Sequence, residues 1–228
     1  DEVVGARIEG PGWSGVVRAR CVVNATGAWA DTLRSGLGAA PMLRPLRGSH
    51  LLFPLWRLPV AQSVGWLHPR DGRPVFATPW EGAALVGTTD LDHREDLAAE
   101  PSITAAEAGY LIDALAQAFP ALRLTAADAI SSFAGVRPVV DDGAGDPSRA
   151  SREHVVRSEH GLVTVTGGKL TTFRPIALAA LAEAGKRLPA LRGIDSKKAT
   201  ADARILDAVE GGPAIARLPP EEGRRLLG

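Results

Sequence analysis

The chain has 228 residues, enough for one large domain or two small ones with a substantial core. Its 26 basic and 26 acidic residues cancel, which removes any whole-chain case for nucleic acid or an anionic membrane as partner. A single cysteine, Cys21, excludes an internal disulfide framework and a cysteine-based zinc centre, and no apolar run is long enough to span a bilayer as a helix.

Residues 1–8 read as a strand already in progress. After Gly10-Pro11-Gly12, residues 16–24 predict a second strand, alternating at first and then fully apolar, as suits an element entering a sheet covered on both faces. Cys21 falls within it and is expected to be a buried structural thiol. Ala25-Thr26-Gly27 follows, then a short helix through Trp29, Leu33 and Leu37. Small residues at a strand's carboxyl end let a ligand approach the backbone, or simply make a tight strand-to-helix turn. Both readings stand at this point.

From Pro41 the texture changes. Residues 48–54, 62–68, 74–80 and 83–89 are short strands separated by Gly, Pro and Asp turns, the mark of an antiparallel sheet. Thr104 to Glu107 form a capping box. It starts a helix burying Ile103, Ala106, Tyr110, Leu111, Ala114, Leu115 and Phe119, and Pro120 stops it. Residues 130–140 return as a strand whose central Gly135 marks a bulge or a close backbone approach. Residues 141–150 form a polar loop. A strand over 152–157 pairs with 162–166 across a hairpin at Glu159-His160-Gly161.

Residues 162–166 read as a buried strand ended by the paired glycines Gly167 and Gly168. Thr171 or Thr172 can cap the helix that follows, with Pro175 still in its first turn, where the missing N–H costs nothing. Phe173, Ile176, Ala177, Ala180, Leu181, Ala184 and Leu188 share one face of it. Such a turn offers free amides and a positive dipole end to a phosphate, a carboxylate or an electron-rich ring, or it is mere connection. Lysine is scarce, at 169, 186, 197 and 198 alone, so Lys169 in this turn stands out. Beyond Pro189 the pattern fades. A helix over 199–209 is followed by breakers at Gly211-Gly212-Pro213 and Pro219-Pro220.

Six stretches together carry a family likeness: residues 22–29, Arg47 to His50, Pro79-Trp80, Val86 to Asp90, Ser132 to Pro138, and Thr166 to Arg174. In this order they resemble the FAD-dependent glycerol-3-phosphate dehydrogenases, over roughly residues 1–190. The Ala-Thr-Gly motif belongs to amino-acid-oxidase-like flavoproteins in general. The Gly-Val-Arg-Pro and Gly-Gly-Lys-Leu-Thr-Thr motifs are more specific to the glycerol-phosphate branch. The family's opening Gly-x-Gly-x-x-Gly turn and its C-terminal helical domain are not found here. The sequence therefore resembles the middle of such an enzyme, cut at both ends, and alone it is expected to be inactive.

The resemblance implies an α/β plus α+β fold, part of a three-layer FAD-binding domain with an inserted antiparallel-sheet substrate domain. Residues 1–40 and 151–195 would supply the first, 41–150 the second, and 196–228 a linker or the start of a further domain. It implies FAD along Ala25, Thr26 and Gly27 and at Gly167, Gly168, Lys169, Leu170, Thr171 and Thr172. It places Arg137 near the reacting carbon and Arg152 and Lys169 in the lining that anchors phosphate or hydroxyls. Arginine grips phosphate bidentately, and lysine acts as a point charge. His50 is the candidate proton acceptor, its titration range suited to general-base work. His68, His93, His154 and His160 have no metal-ligand spacing, so no metal is expected. Trp80 and Phe133 are expected in the core, and Thr88, Thr89 and Asp90 in a turn near the pocket.

The implied reaction is oxidation of glycerol 3-phosphate to dihydroxyacetone phosphate, with electrons passed to quinone. The implied setting is the cytoplasm, peripheral at the membrane through parts outside this chain, with no nucleic acid partner and with a homodimer as an option. The alternatives are an oxidase that hands electrons to oxygen, and a non-catalytic remnant or metabolite-binding module.

Overall fold

The computed structural model describes residues 2–141, 143 and 153–191. Asp1–Ala190 make one compact unit, and the expected helix over 199–209 lies outside the described residues. Strands β1 (Gly5–Gly10) and β2 (Trp13–Arg18) form an antiparallel hairpin. Where one strand was expected over 16–24, there are two. β2 stays with β1, whereas β3 (Val22–Asn24) joins a different sheet. Cys21 therefore lies in the link between them, half-buried rather than buried.

A 3-10 turn at Gly27–Trp29 leads from β3 into the short helix α1 (Ala30–Ser35), and β4 (Leu43–Pro54) follows. This twelve-residue strand is the spine of the largest sheet. β5 (Val64–Leu67), β6 (Pro74–Trp80) and β7 (Ala83–Gly87) add to one edge of it in the order β5-β6-β7-β4. β8 (Leu91–Asp92) pairs with the other half of that same edge, at Leu46 and Arg47. β9 (Ser131–Val140) covers the opposite edge in unbroken antiparallel register from Leu43↔Val140 to Leu52↔Ser131. Gly135 thus makes no bulge, and sits directly opposite Gly48.

Alternation along β4 sends Arg47, Ser49, Leu51 and Phe53 to one face and Leu46, Gly48, His50 and Leu52 to the other. Helix α2 (Ala105–Ala118) covers the first face. Leu111, Ala114 and Leu115 pack there with Leu51, Phe53, Val75, Ala77 and Val86. Each large side chain fully buried in this way contributes about 1.5–3 kcal/mol. The Thr104 capping box is present as expected, but Ala106 is exposed and the charged Glu107 takes a place on the buried face.

The opposite face of this sheet is covered at Leu46 and Val139 but open around Trp80 and Phe133, which corrects the expectation for these two aromatics. Trp80 is 57% exposed and Phe133 49%. Both fall on the side away from α2, since Trp80 shares its face with Phe76 and Phe133 registers with His50.

The third sheet joins the two ends of the described chain. β10 (His154–Glu159) and β11 (Leu162–Gly167) form the expected hairpin, and β11 runs parallel to β3. His160 and Gly161 both take positive φ, 47° and 87°, as a two-residue hairpin matching the strand twist requires. The first strand of the pair starts at His154, two residues later than expected. Helix α3 (Phe173–Gly185) then packs Ala180 and Ala184 inward. Phe173 and Leu181 are more than one-third exposed, because the predicted apolar face lines an open cavity instead of closing on a core.

Candidate active site

Two clusters answer to the candidate residues. In the first, Arg137 of β9 lies across Gly48 of β4. A Cβ at position 48 would sit 2.1 Å from Nη2 and 2.3 Å from Nη1, so only glycine leaves the guanidinium this resting place. Nη1 donates to the Thr89 carbonyl (3.2 Å) and to Asp90 Oδ1 (3.0 Å), and Nη2 donates to Thr88 Oγ1 (2.9 Å). Asp90, 2% exposed, is shared: Arg73 reaches its other carboxylate oxygen at 3.3 Å.

His50 stands on the same face of β4. Its ring lies over Gly87, where a Cβ would be 2.1 Å from Cδ2, and Phe133 stacks on it with centroids 4.7 Å apart. Burial and then the neighbouring Arg137 charge lower its pKa, so the imidazole is neutral at pH 7. Nδ1 is buried without a partner, which leaves Nε2 as the ring nitrogen open to a ligand. A neutral ring in this setting rests with its proton on Nε2, because a proton on Nδ1 would have no acceptor.

Beneath the sheet a buried network steadies the cluster. Glu107, 1% exposed, accepts from Ser49 Oγ (2.8 Å), Thr89 Oγ1 (2.8 Å), Thr104 N (3.0 Å) and Thr104 Oγ1 (2.9 Å). Arg47 pairs with it at 3.0 Å. Burial pushes the Glu107 carboxyl up, yet the hydrogen bonds from Thr104, Ser49 and Thr89 outweigh it and hold the pKa at about 2.

The second cluster joins the carboxyl ends of the parallel strands β3 and β11. Asn24, 1% exposed and not foreseen as a site residue, ties the first turn together. Its Nδ2 donates to Ala30 O (2.9 Å), and its Oδ1 accepts from Thr26 Oγ1 (2.7 Å). Gly27, Gly167 and Gly168 all have φ between 61° and 80°, the left-handed region open to glycine. Thr166 Oγ1 donates to Gly27 O at 3.5 Å, so the two turns stand side by side. Thr172 Oγ1 accepts from Lys169 N (3.1 Å) and donates back to Lys169 O (2.9 Å). The amides of Leu170 and Thr171 have no acceptor among the described residues, at the amino end of α3.

Lys169 is exposed and lies on the rim of a cavity of about 500 Å³ with Val23, Ala25, Val165, Phe173 and Ile176. No hydrogen bond joins it to His50 or Arg137 among the described residues. Arg152 lies outside those residues. The structure therefore brings Arg137 and His50 together and sets the glycine turns side by side. Sequence reasoning missed the parts played by Arg73 and Asn24, the pairing of Asp90 with Arg137, and the burial of Glu107 beyond its capping box. That burial had one legible signal, the place of Glu107 one turn before Leu111 on the apolar face of α2.

The fold has its counterparts in known proteins. Residues 1–174 match the family described as FAD dependent oxidoreductase. An aerobic glycerol-3-phosphate dehydrogenase of Staphylococcus aureus is 38% identical over 175 residues, 75% of this chain and 31% of the relative. The solved glycerol-3-phosphate dehydrogenase of Bacillus halodurans, complexed with FAD, superposes with a TM-score of 0.71 at 34% identity, covering 82% of this chain and 36% of that one. The L-alpha-glycerophosphate oxidase of Mycoplasma pneumoniae with FAD bound superposes with a TM-score of 0.50 at 25% identity, over 75% of this chain and 43% of that one. The chain spans 31% of the length of the curated relative it matches. It belongs to the FAD dependent oxidoreductase family.

Proposed function

We propose that this chain is the substrate-binding part and a portion of the cofactor-binding part of an FAD-dependent oxidoreductase that converts glycerol 3-phosphate to dihydroxyacetone phosphate. Residues 41–150 carry the substrate side, and 1–40 with 151–195 carry the cofactor side. The observation that carries the reading is the Arg137 guanidinium fixed beside a neutral His50 on the open face of the large sheet.

The residues present fit FAD at the paired turns. Ala25, Thr26, Gly27, Gly167 and Gly168 offer backbone that a ring system can approach closely, and Lys169 to Thr172 present a helix start whose amides suit an electron-rich edge. When bound, FAD supplies the acceptor for the hydride leaving the substrate's secondary carbon. Arg137 binds the anionic substrate and orients that carbon. Lys169 and Arg152 add positive charge for its phosphate.

His50 takes the hydroxyl proton at Nε2. Freeing Nε2 for this moves the resting proton to Nδ1, at a cost of about 1–3 kcal/mol for an unsatisfied donor. General-base catalysis contributes roughly 10²–10⁴-fold, so the role survives the cost unless both lie at their unfavourable ends.

The higher identity to a solved dehydrogenase, 34% against 25% to a solved oxidase, supports a quinone acceptor at the membrane surface over oxygen. Anaerobic mixing of the whole protein with glycerol 3-phosphate tests the reading. Loss of flavin absorbance in the wild type, slowed at least ~100-fold in Arg137→Ala, is expected from the loss of a charge at the reacting centre. Unchanged reduction in that variant would remove Arg137 from the site. Peroxide release in air would move the acceptor from quinone to oxygen. A flavin-free wild type would make the chain a binding module.

A further inference from the structure

Among the described residues, Arg137 is gripped by one short segment. Thr88, Thr89 and Asp90 each accept a hydrogen bond from it, and three acceptors on three successive residues define both the position and the plane of the guanidinium. Their directions are not interchangeable. The Thr88 hydroxyl donates its own hydrogen to the Thr89 carbonyl at 3.0 Å, so towards Arg137 it can act only as acceptor. Asp90 is almost completely buried and divides its carboxylate between Arg137 and Arg73. Arg73 also donates to the Asp90 carbonyl at 3.2 Å, which pins the segment from its far side. From below, Thr89 is tied to Ser49 and Glu107.

We infer that Thr88 and Asp90 are positioning residues, which touch no substrate themselves and set the rate by holding the Arg137 guanidinium flat against Gly48. The inference rests on the function proposed for this site, and it adds the residues through which Arg137 acts. A loosely held arginine would still attract an anion. It would no longer present its N–H groups where charge develops in the transition state, and that term depends on preorganisation. The signature is therefore a fall in the chemical rate with little change in substrate affinity.

The test is a mutant cycle on the whole flavin-loaded protein, read by anaerobic loss of flavin absorbance with glycerol 3-phosphate. Asp90→Asn and Thr88→Val are each expected to slow reduction about 10- to 100-fold, the loss typical of misplacement by about 1 Å. Thr88→Ser should restore most of the rate. In an Arg137→Ala background the same changes should add nothing, because residues that act through one another are not additive. Equal losses in both backgrounds, or a Thr88→Ser variant as slow as Thr88→Val, would overturn the inference. Asp90→Asn could unfold by stranding Arg73, but Thr88→Val does not touch Arg73 and keeps the test decisive.

A second readout needs no turnover. In protein labelled with ¹⁵N-arginine, the Arg137 guanidinium protons should exchange slowly in the wild type and Thr88→Ser, and faster in Asp90→Asn and Thr88→Val. Unchanged exchange overturns the clamp. A wild type that glycerol 3-phosphate cannot reduce overturns the proposed substrate instead, and leaves the exchange measurement to judge the clamp.

Discussion

Glu107→Gln is the change whose effect the structure predicts in most detail. The carboxylate accepts from four protein hydrogen-bond donors and pairs with Arg47, all with 1% of the residue exposed. An amide at the same place keeps one acceptor oxygen but turns an N–H₂ donor towards the Thr104 amide or the Arg47 guanidinium. Two donors then face each other. The pKa gives an independent magnitude. It falls from 4.5 to about 2 on folding, so the group stabilises the fold fully above pH 4.5 and loses that contribution as pH drops towards 2. At 1.36 kcal/mol per unit this amounts to about 3 kcal/mol at pH 7 and roughly 1 kcal/mol at pH 3. Breaking a buried pair costs about 3–5 kcal/mol by mutation, which agrees. Urea unfolding of the whole protein and of Glu107→Gln should therefore differ by about 3–5 kcal/mol at pH 7, and the gap should narrow by roughly 2 kcal/mol by pH 3. A gap that stays constant between these pH values, or one below about 1 kcal/mol at pH 7, would refute the reasoning.

Gly48→Ala should leave the melting temperature nearly unchanged, since the atoms its Cβ meets are the far end of Arg137. It should lower kcat/KM at least ~10-fold by pushing the guanidinium off its seat, as steady-state kinetics beside a thermal melt would show. The acid limb of kcat/KM should lie below the ordinary histidine value of about 6.5, because His50 must be neutral to accept a proton. Arg137→Gln should move that limb upward, since removing a nearby positive charge favours imidazolium. A limb that stays put would take His50 out of the base role. Gly167→Ala should destabilise more than Gly168→Ala in chemical denaturation. Both positions lose about 1–2 kcal/mol to left-handed backbone, but the new Cβ meets the Glu153 carbonyl at 2.6 Å in the first and the flexible Ile176 tip at 2.4 Å in the second.

Local chemistry was legible wherever the chain signals it locally. The Thr104 capping box, the hairpin at His160-Gly161 and the bounds of β6 all follow from short-range rules, and all are present. What failed depends on pairing. Residues 16–24 carry continuous strand propensity, and nothing within them says that the chain leaves one sheet at Arg18 and enters another at Val22. Trp80 and Phe133, both expected in the core, lie in strands. In a strand of period two, only the register decides the face, and the register put both on the open side. The apolar stripe of α3 shows the same limit from the other direction. Its spacing is right for a buried face, yet Phe173 and Leu181 line a cavity that the described residues leave open.

The site was half legible for a related reason. Arg137, His50, the glycine turns and the Thr88–Asp90 segment stand in motifs, whereas Arg73 and Glu107, which brace that segment, do not. Thr89 shows how the two levels connect. Its hydroxyl donates to Glu107 on the covered face of the sheet, while its carbonyl accepts from Arg137 on the open face. One residue thus transmits the rigidity of the core to the guanidinium through the short link between β7 and β8. The consequence separates stability from activity. Changes on the covered face, at Glu107 or Arg47, break a buried pair and fall first on folding. Changes on the open face, at Gly48 or Thr88, leave that network intact and shift only where the guanidinium points. If Arg137 were merely one more surface ion pair, its environment would not need a glycine floor, three successive acceptors and a buried carboxylate shared with a second arginine. That concentration of constraint on one flexible side chain is what a group required in a single orientation demands.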